Sequence, residues 1–371
     1  MLVSERARRT ILSTSVLFLA AGVAFGLARG PLPDAAVHAT AEAALVAVLF
    51  NDAMRASWSE LRRGWRLPGR ALLVGFPLTG LLTALAARAL GGLPWPDAFL
   101  VGAALASTDP VFAAAVIGSE EVPGRIRHLL NVESGLNDGL ALPFVVAFLA
   151  LSSHEAFQGG ALLAELSGGV ALGVAVPWAL VRLERSRVFG AADEYRPVGV
   201  LATGLLTWTL ARALHANAYL AAFAAGATLV TVAPRARRTF SAVGDVLTEV
   251  AKLGALLVFA TRLTPELVAG AGPGGWAFAA FALFVARPAA LLVALHGTEL
   301  TLKERLFAGW FGPRGFASVV YGLLVAGGGS PAAGRAFLLV ALTTALSMLL
   351  HSSSDVVLVR WLRRSLGPAP A

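Results

Sequence analysis

Apolar stretches of bilayer length follow one another along almost the whole chain, and that repetition leaves few folds open. A window of about 20 residues, the length of helix that spans a hydrocarbon core, finds twelve. They run at approximately 11–28, 36–53, 70–89, 96–117, 129–152, 159–181, 197–211, 217–232, 243–260, 275–297, 306–327 and 335–351. Short segments bearing Gly, Pro and Arg separate them. Inside a bilayer every backbone N–H and C=O must be bonded within the protein, so segments of this length and composition are read as helices. The expected fold class is an all-α polytopic membrane protein with about 12 transmembrane helices. Composition agrees: 57% of the 371 residues are hydrophobic and 14% charged, against about 25% charged in soluble domains.

The basic residues test the count. With alternate loops assigned to one side, 22 of the 30 Lys and Arg fall on that side, and five (Arg29, Arg88, Arg212, Arg262 and Arg335) fall on the other. Lys252, Arg287 and Arg314 remain within the spans. Positive charge gathers on cytoplasmic loops, so both termini are expected in the cytoplasm and the helix number is expected to be even. The net charge of +8 is dealt out in small groups, so no nucleic acid is expected as a partner. Without cysteine there is neither disulfide nor thiolate site. Nucleotide-binding and zinc-hydrolase signatures are absent, which argues against an ATP-driven pump and an enzyme, and no cofactor is expected. The first apolar stretch runs on through AGVAFGLARG without a cleavage site and is expected to be retained. Six single histidines, mostly near span ends, are expected at wet boundaries.

Two aspartates lie deep within these spans, Asp109 in ASTDPVFAAAVIG and Asp138 in LLNVESGLNDGLALPFVV. A carboxylate at membrane depth is costly and marks a candidate pathway for ions or protons. Pro110 removes an amide and disfavours helical geometry at Asp109, so the fourth span is expected to break at the aspartate. The freed carbonyls near Ser107 and Thr108 beside a carboxylate suit a hard cation such as Na⁺. A second break is expected in the eleventh span, where Gly312, Pro313 and Gly315 bracket Arg314. The two interrupted spans lie seven spans apart and run in opposite directions, as inverted repeats flanking a linker helix would. In the fifth span Glu133 with Asn137, and Ser134 with Asp138, form two i,i+4 ridges. Arg287 is a buried base that could neutralise Glu133, so Glu133, Asn137 and Arg287 are expected to form a bracing cluster while Asp138 faces the ion. Ser134 could equally bond back to its own helix.

In order, TDP, ESGLNDG, ARP, ERLFAGWFGPRGFAS and a late HSSS segment resemble the monovalent cation:proton antiporter family. The likeness is to its prokaryotic Na⁺/H⁺ antiporter branch, related to the animal sodium/hydrogen exchangers, and it covers nearly the whole chain. The resemblance implies a Na⁺/H⁺ antiporter-like fold with two crossed discontinuous helices, and a homodimer. It implies ion binding by Thr108, Asp109, Ser134 and Asp138, with Asp138 the main carrier of H⁺ and Na⁺, and stabilisation by Glu133, Arg287, Asn137 and Arg314. Asp52, in VLFNDAMR, matches a position where some relatives have a further acid, although an acid at a helix end is also simply solvated. Family members commonly start one helix earlier, so this chain would have twelve helices with the N-terminus inside.

The expected organisation is one membrane domain, 1–371. Core helices are expected at approximately 70–152 and 275–351, interface helices at 11–53 and 197–260, and a linker at 159–181. The expected function is secondary antiport of Na⁺ or Li⁺ for H⁺ by competition at Asp138 and Asp109. Asn137, where electrogenic relatives have a second aspartate, implies one proton per Na⁺ and electroneutral exchange. A K⁺/H⁺ antiporter of the same build and an ion channel are the competing readings. The expected location is the prokaryotic inner membrane, with the lipid bilayer as surroundings.

Overall fold

A computed structural model describes residues 14–55, 64–109, 122–153, 159–186 and 195–366, and within them the chain is helical, with no strand. Fourteen helices follow in order: α1 Thr14–Arg29, α2 Asp34–Arg55, α3 Arg66–Ala89, α4 Trp95–Ala106, α5 Gly124–Ser152, α6 Gly159–Glu184 and α7 Arg196–Ala213. After these come α8 Ala218–Val232, α9 Pro234–Thr261, α10 Pro265–Ala269, α11 Gly272–Ala294, α12 Leu302–Trp310, α13 Phe316–Ala326 and α14 Ala333–Leu366. The five-residue α10 is a connector, and α12 and α13 are halves of one interrupted span, which leaves twelve spans among the described residues. Arg66–Ala89, Gly124–Ser152, Gly159–Glu184, Gly272–Ala294 and Ala333–His351 are each long and apolar enough to cross a bilayer. The chain is a multi-pass integral membrane protein.

Three boundaries depart from the hydropathy reading. The fourth helix ends at Ala106, three residues before the aspartate at which the break was expected, and its C-cap Ser107 is extended, at φ −67° and ψ 145°, while 110–117 of that span, Pro110 among them, lie outside the described residues. Helix α9 begins at Pro234, nine residues before the apolar run, because proline suits a first helical turn and the arginine-bearing start is polar enough to escape a hydropathy window. Helix α14 continues to Leu366 since no Gly or Pro interrupts it before Gly367.

The chain divides into two compact units. One comprises Met1–His38, Ser59–His154 and Ala255–Ala371, the other Ala39–Trp58 and Glu155–Gly254. Helix α6, read as a linker from sequence, belongs to the second unit, and α1, read with the interface helices, to the first.

The first unit is built on a repeat that its backbone irregularities reveal. Helix α3 contains a π-helical turn at Ala71–Gly75 and α11 one at Ala282–Ala286, each followed by X-Pro, Phe76-Pro77 and Arg287-Pro288. A proline cannot donate to the preceding turn, and a widened turn accommodates the missing bond. The spans that come next, α4 and α12–α13, are the two interrupted ones. Corresponding irregularities seven spans apart are the mark of inverted repeats. A buried cluster of Leu67, Ile126, Leu130, Leu291, Phe307 and Phe311 ties α3, α5, α11 and α12 together. Burying such side chains contributes roughly 1.5–3 kcal/mol each in water-referenced terms.

In the second unit α6 and α8 touch through glycine. A Cβ on Gly169 or Gly173 would meet the carbonyl oxygens of Asn217 and Ala221, so only glycine lets the two backbones approach, as in other membrane helix pairs. Asn217 also caps α8, its side chain accepting from Leu220 N at 2.9 Å.

Candidate functional site

Helix α4 ends in four carbonyls that have no partner within the helix, and α13 begins with amides in the same position. At membrane depth neither set can turn to water. The structure brings the two ends together. The amide of Asp109 donates to Pro313 O at 3.0 Å, and Phe316 N donates to Asp109 Oδ2 at 2.9 Å. In return, Arg314 Nη1 donates to Ala106 O at 3.4 Å and Ser318 Oγ to Ala104 O at 2.9 Å. Asp109 is thus the N-cap that Gly315 cannot be, and Arg314 sits at the negative pole of α4. The glycines make the approach possible. A Cβ on Gly315 would overlap the Asp109 side chain, and one on Gly312 would overlap the Arg287 guanidinium.

Helix α12 is fixed at its start by a capping box between Thr301 and Glu304, with Arg125 of α5 donating to Glu304 Oε1 at 2.7 Å. Helix α5 then presents its polar residues to the crossing. Glu133 accepts two bonds from Arg287, at 2.7 and 3.0 Å, in a buried bidentate pair. Asn137, expected beside that pair, instead donates to Thr108 Oγ1 at 2.6 Å and accepts from Ser107 Oγ at 3.4 Å. The Ser107 hydroxyl also donates to Asp138 Oδ1. Ser134 and Thr108 share a hydroxyl–hydroxyl bond of 3.1 Å, so the Ser134 side chain reaches across to the break. Tyr321 of α13 donates to the main-chain oxygen of Asp138 at 2.9 Å.

The unwound segment and α5 thereby gather Ser107, Thr108, Asp109, Ser134, Asn137 and Asp138 in one place, with Asp138 8% and Asp109 4% exposed. Their acceptors are carboxylate, hydroxyl and amide oxygens, the donor set of a hard monovalent cation or, at a carboxylate, of a proton. At the crossing the buried charged side chains are Asp109, Glu133 and Asp138 against Arg287 and Arg314, one more acid than base; Asp97 and Glu304 are buried too, in the first turns of α4 and α12. Asp52 lies on α2 in the second unit, half-buried. Ser318 and Tyr321 were missed from the sequence, and Ser107 was read for its backbone carbonyl and not for its hydroxyl. Adjacency to Thr108–Asp109 was a signal for Ser107; the other two are hydroxyls on an apolar helix, with no local signal.

The family described as sodium/hydrogen exchanger, transmembrane, matches residues 1–361. The chain belongs to this family. Among curated exchanger relatives, the K(+)/H(+) antiporter NhaP2 of Shewanella baltica is 26% identical over 383 residues, covering 100% of this chain and 66% of that protein. The chain therefore spans about two thirds of the length of that relative. The Na(+)/H(+) antiporter 2 of Zygosaccharomyces rouxii is 51% identical over 63 residues, covering 16% of this chain and 8% of that protein. Among solved structures, the sodium proton antiporter MjNhaP1 of Methanocaldococcus jannaschii superposes with a TM-score of 0.80 at 20% identity, covering 98% of this chain and 95% of that one. The fold is that of an exchanger-family antiporter.

Proposed function

We propose that the chain is a secondary antiporter exchanging a monovalent cation for a proton at the crossing of α4 with α12–α13. One observation carries the reading: two buried carboxylates, Asp109 and Asp138, share an oxygen-lined break with Ser107, Thr108 and Ser134. Asp138 is the carrier, binding either H⁺ or the cation, while Asp109 shapes the site because it also caps α13. The core helices at 70–152 and 275–351 carry the loaded site between the two sides, and the empty charged site does not cross.

The buried charge supports electroneutral 1:1 exchange. Arginine keeps its charge in proteins, so Arg287 and Arg314 do not enter the proton count. One H⁺ or one monovalent cation then brings the excess of one negative charge to zero. Na⁺ or Li⁺ is the proposed cation. K⁺ is the second reading, favoured by the naming of the NhaP2 relatives. A homodimer in a prokaryotic inner membrane, with both termini cytoplasmic as the Lys and Arg distribution indicates, completes the proposal.

Proteoliposomes test it directly. Na⁺, Li⁺ or K⁺ added in turn should dissipate an imposed proton gradient with saturation, and Asp138→Asn should abolish the response. An imposed voltage should leave the wild-type rate unchanged; strong voltage dependence would sink electroneutrality. Uncoupled, non-saturating flux would mark a channel instead.

A further inference from the structure

His351 was expected at a wet boundary and is 3% exposed in the first unit. Its ring lies against Trp310, centroids 5.0 Å apart, with Nε2 3.0 Å from Trp310 O. Nδ1 is 2.8 Å from Ser347 O and 3.1 Å from Ser347 Oγ. The same Ser347 hydroxyl oxygen accepts the amide of Arg314 at 2.8 Å.

These contacts complete the accounting of the break between α12 and α13. Away from water, Pro313 O, Arg314 N and Phe316 N all need partners, and Trp310 O, which accepts Gly312 N at 2.8 Å, has a second lone pair to fill. Asp109 serves Pro313 and Phe316. Ser347 and His351 serve Arg314 and Trp310. The segment that meets the candidate ion site is therefore held by the site's own aspartate and by two residues of α14 that the exchange mechanism does not otherwise use.

The ring can hold the break in two ways. With a single proton on Nε2 it donates to Trp310 O and accepts the Ser347 hydroxyl at Nδ1. With both nitrogens protonated it donates to two carbonyls, and the Ser347 hydroxyl is released from the ring. The charged groups that bear on the imidazole are Arg314 from the break and Arg287 from α11; Asp109 lies beyond, at Pro313 and Phe316. The two states differ in what the hydroxyl holding the Arg314 amide is doing.

We propose that Ser347 and His351 are a positioning pair for the exchange, setting cation affinity and its pH dependence by holding the backbone from Trp310 to Arg314. This rests on the antiport reading above. The test is cation KM, maximal rate and rate–pH profile of the full chain in proteoliposomes, with melting temperature alongside, for Ser347→Ala, His351→Ala and His351→Gln. Ser347→Ala should raise KM roughly fivefold, the scale of one lost hydrogen bond, with little change in maximal rate. His351→Ala should raise KM by a similar factor and displace the pH of half-maximal exchange. His351→Gln, whose amide can still donate to Trp310 O, should recover KM but not the pH profile.

An unchanged KM and profile in Ser347→Ala and His351→Ala, whatever the melting temperature does, would overturn the proposal. If His351→Ala does not fold, an unchanged KM in Ser347→Ala or a wild-type profile in His351→Gln overturns it equally. Wild-type protein that exchanges nothing would overturn the antiport reading instead. The rise in melting temperature on adding Na⁺, Li⁺ or K⁺ then tests the pair by itself, and an equal rise in wild type and Ser347→Ala would refute it.

Discussion

The breaks after Ala106 and after Trp310 occupy corresponding places in two inverted repeats, yet they carry opposite charges. The first exposes the negative end of α4 and is followed by an acid; the second exposes the positive end of α13 and contains a base. Neither charge serves its own helix. Asp109 caps α13 and Arg314 reaches the last carbonyl of α4, so each open end is satisfied from the other repeat. The repeats match in backbone irregularity and oppose each other in charge. That opposition gives each buried helix end a group of complementary charge from across the crossing.

The reciprocal capping is most exposed to disruption at Gly315. Gly315→Ala places a Cβ in the Asp109 side chain, and overpacking of this kind costs up to about 3 kcal/mol. Exchange should be lost and the melting temperature should fall; wild-type behaviour would show that the two ends are joined in some other way. Asp109→Asn and Arg314→Gln should each cost about 2 kcal/mol, the upper range for a charge at a partly buried helix end. In function, Asp109→Asn should abolish exchange, whereas a third variant that keeps the charge, Arg314→Lys, should retain part of it. Unfolding of the double variant Asp109→Asn/Arg314→Gln should fall short of additivity, since each single change removes half of one arrangement; strict additivity would deny the reciprocity.

Ser318→Ala removes one bond to Ala104 O and should cost about 1 kcal/mol while leaving KM for the cation in place. The smallest effect belongs to a surface pair. The hydrogen bond and charge of Arg262 hold the Asp34 carboxyl below its ordinary value. A folded value below the unfolded one gives stability that is present above the unfolded value and lost as pH falls through the folded one. Asp34 is fully exposed, so screening should leave melting curves of Asp34→Asn and wild type superimposable from neutral to acid pH. A clear acid-limb difference would give this pair more weight than the caps at the crossing.

Much of the site was legible because its chemistry is costly in lipid. Asp109, Asp138, Glu133, Arg287 and Arg314 announce themselves as charges inside apolar runs, and Gly312, Pro313 and Gly315 as breaks. Asn137 was misassigned because helical spacing says which residues share a ridge, not which neighbour the ridge meets. Its partner is Thr108, 29 positions earlier in the chain. His351 was misread because it sits late in an apolar run and a single histidine carries no local sign of burial. Helix α9 was read nine residues short because an amphipathic turn averages out in a hydropathy window.

Hydropathy and local spacing were enough for the helical class, the two interruptions and the acids that lie at the crossing, since a bilayer penalises every unbonded peptide group and every unaccompanied charge. Which open helix end met which charge, that Asn137 joined the unwound segment, and that Ser347 and His351 contact the second break came from packing across the fold. Those pairings depend on residues up to about two hundred positions apart meeting at one crossing, and no local periodicity records such a meeting.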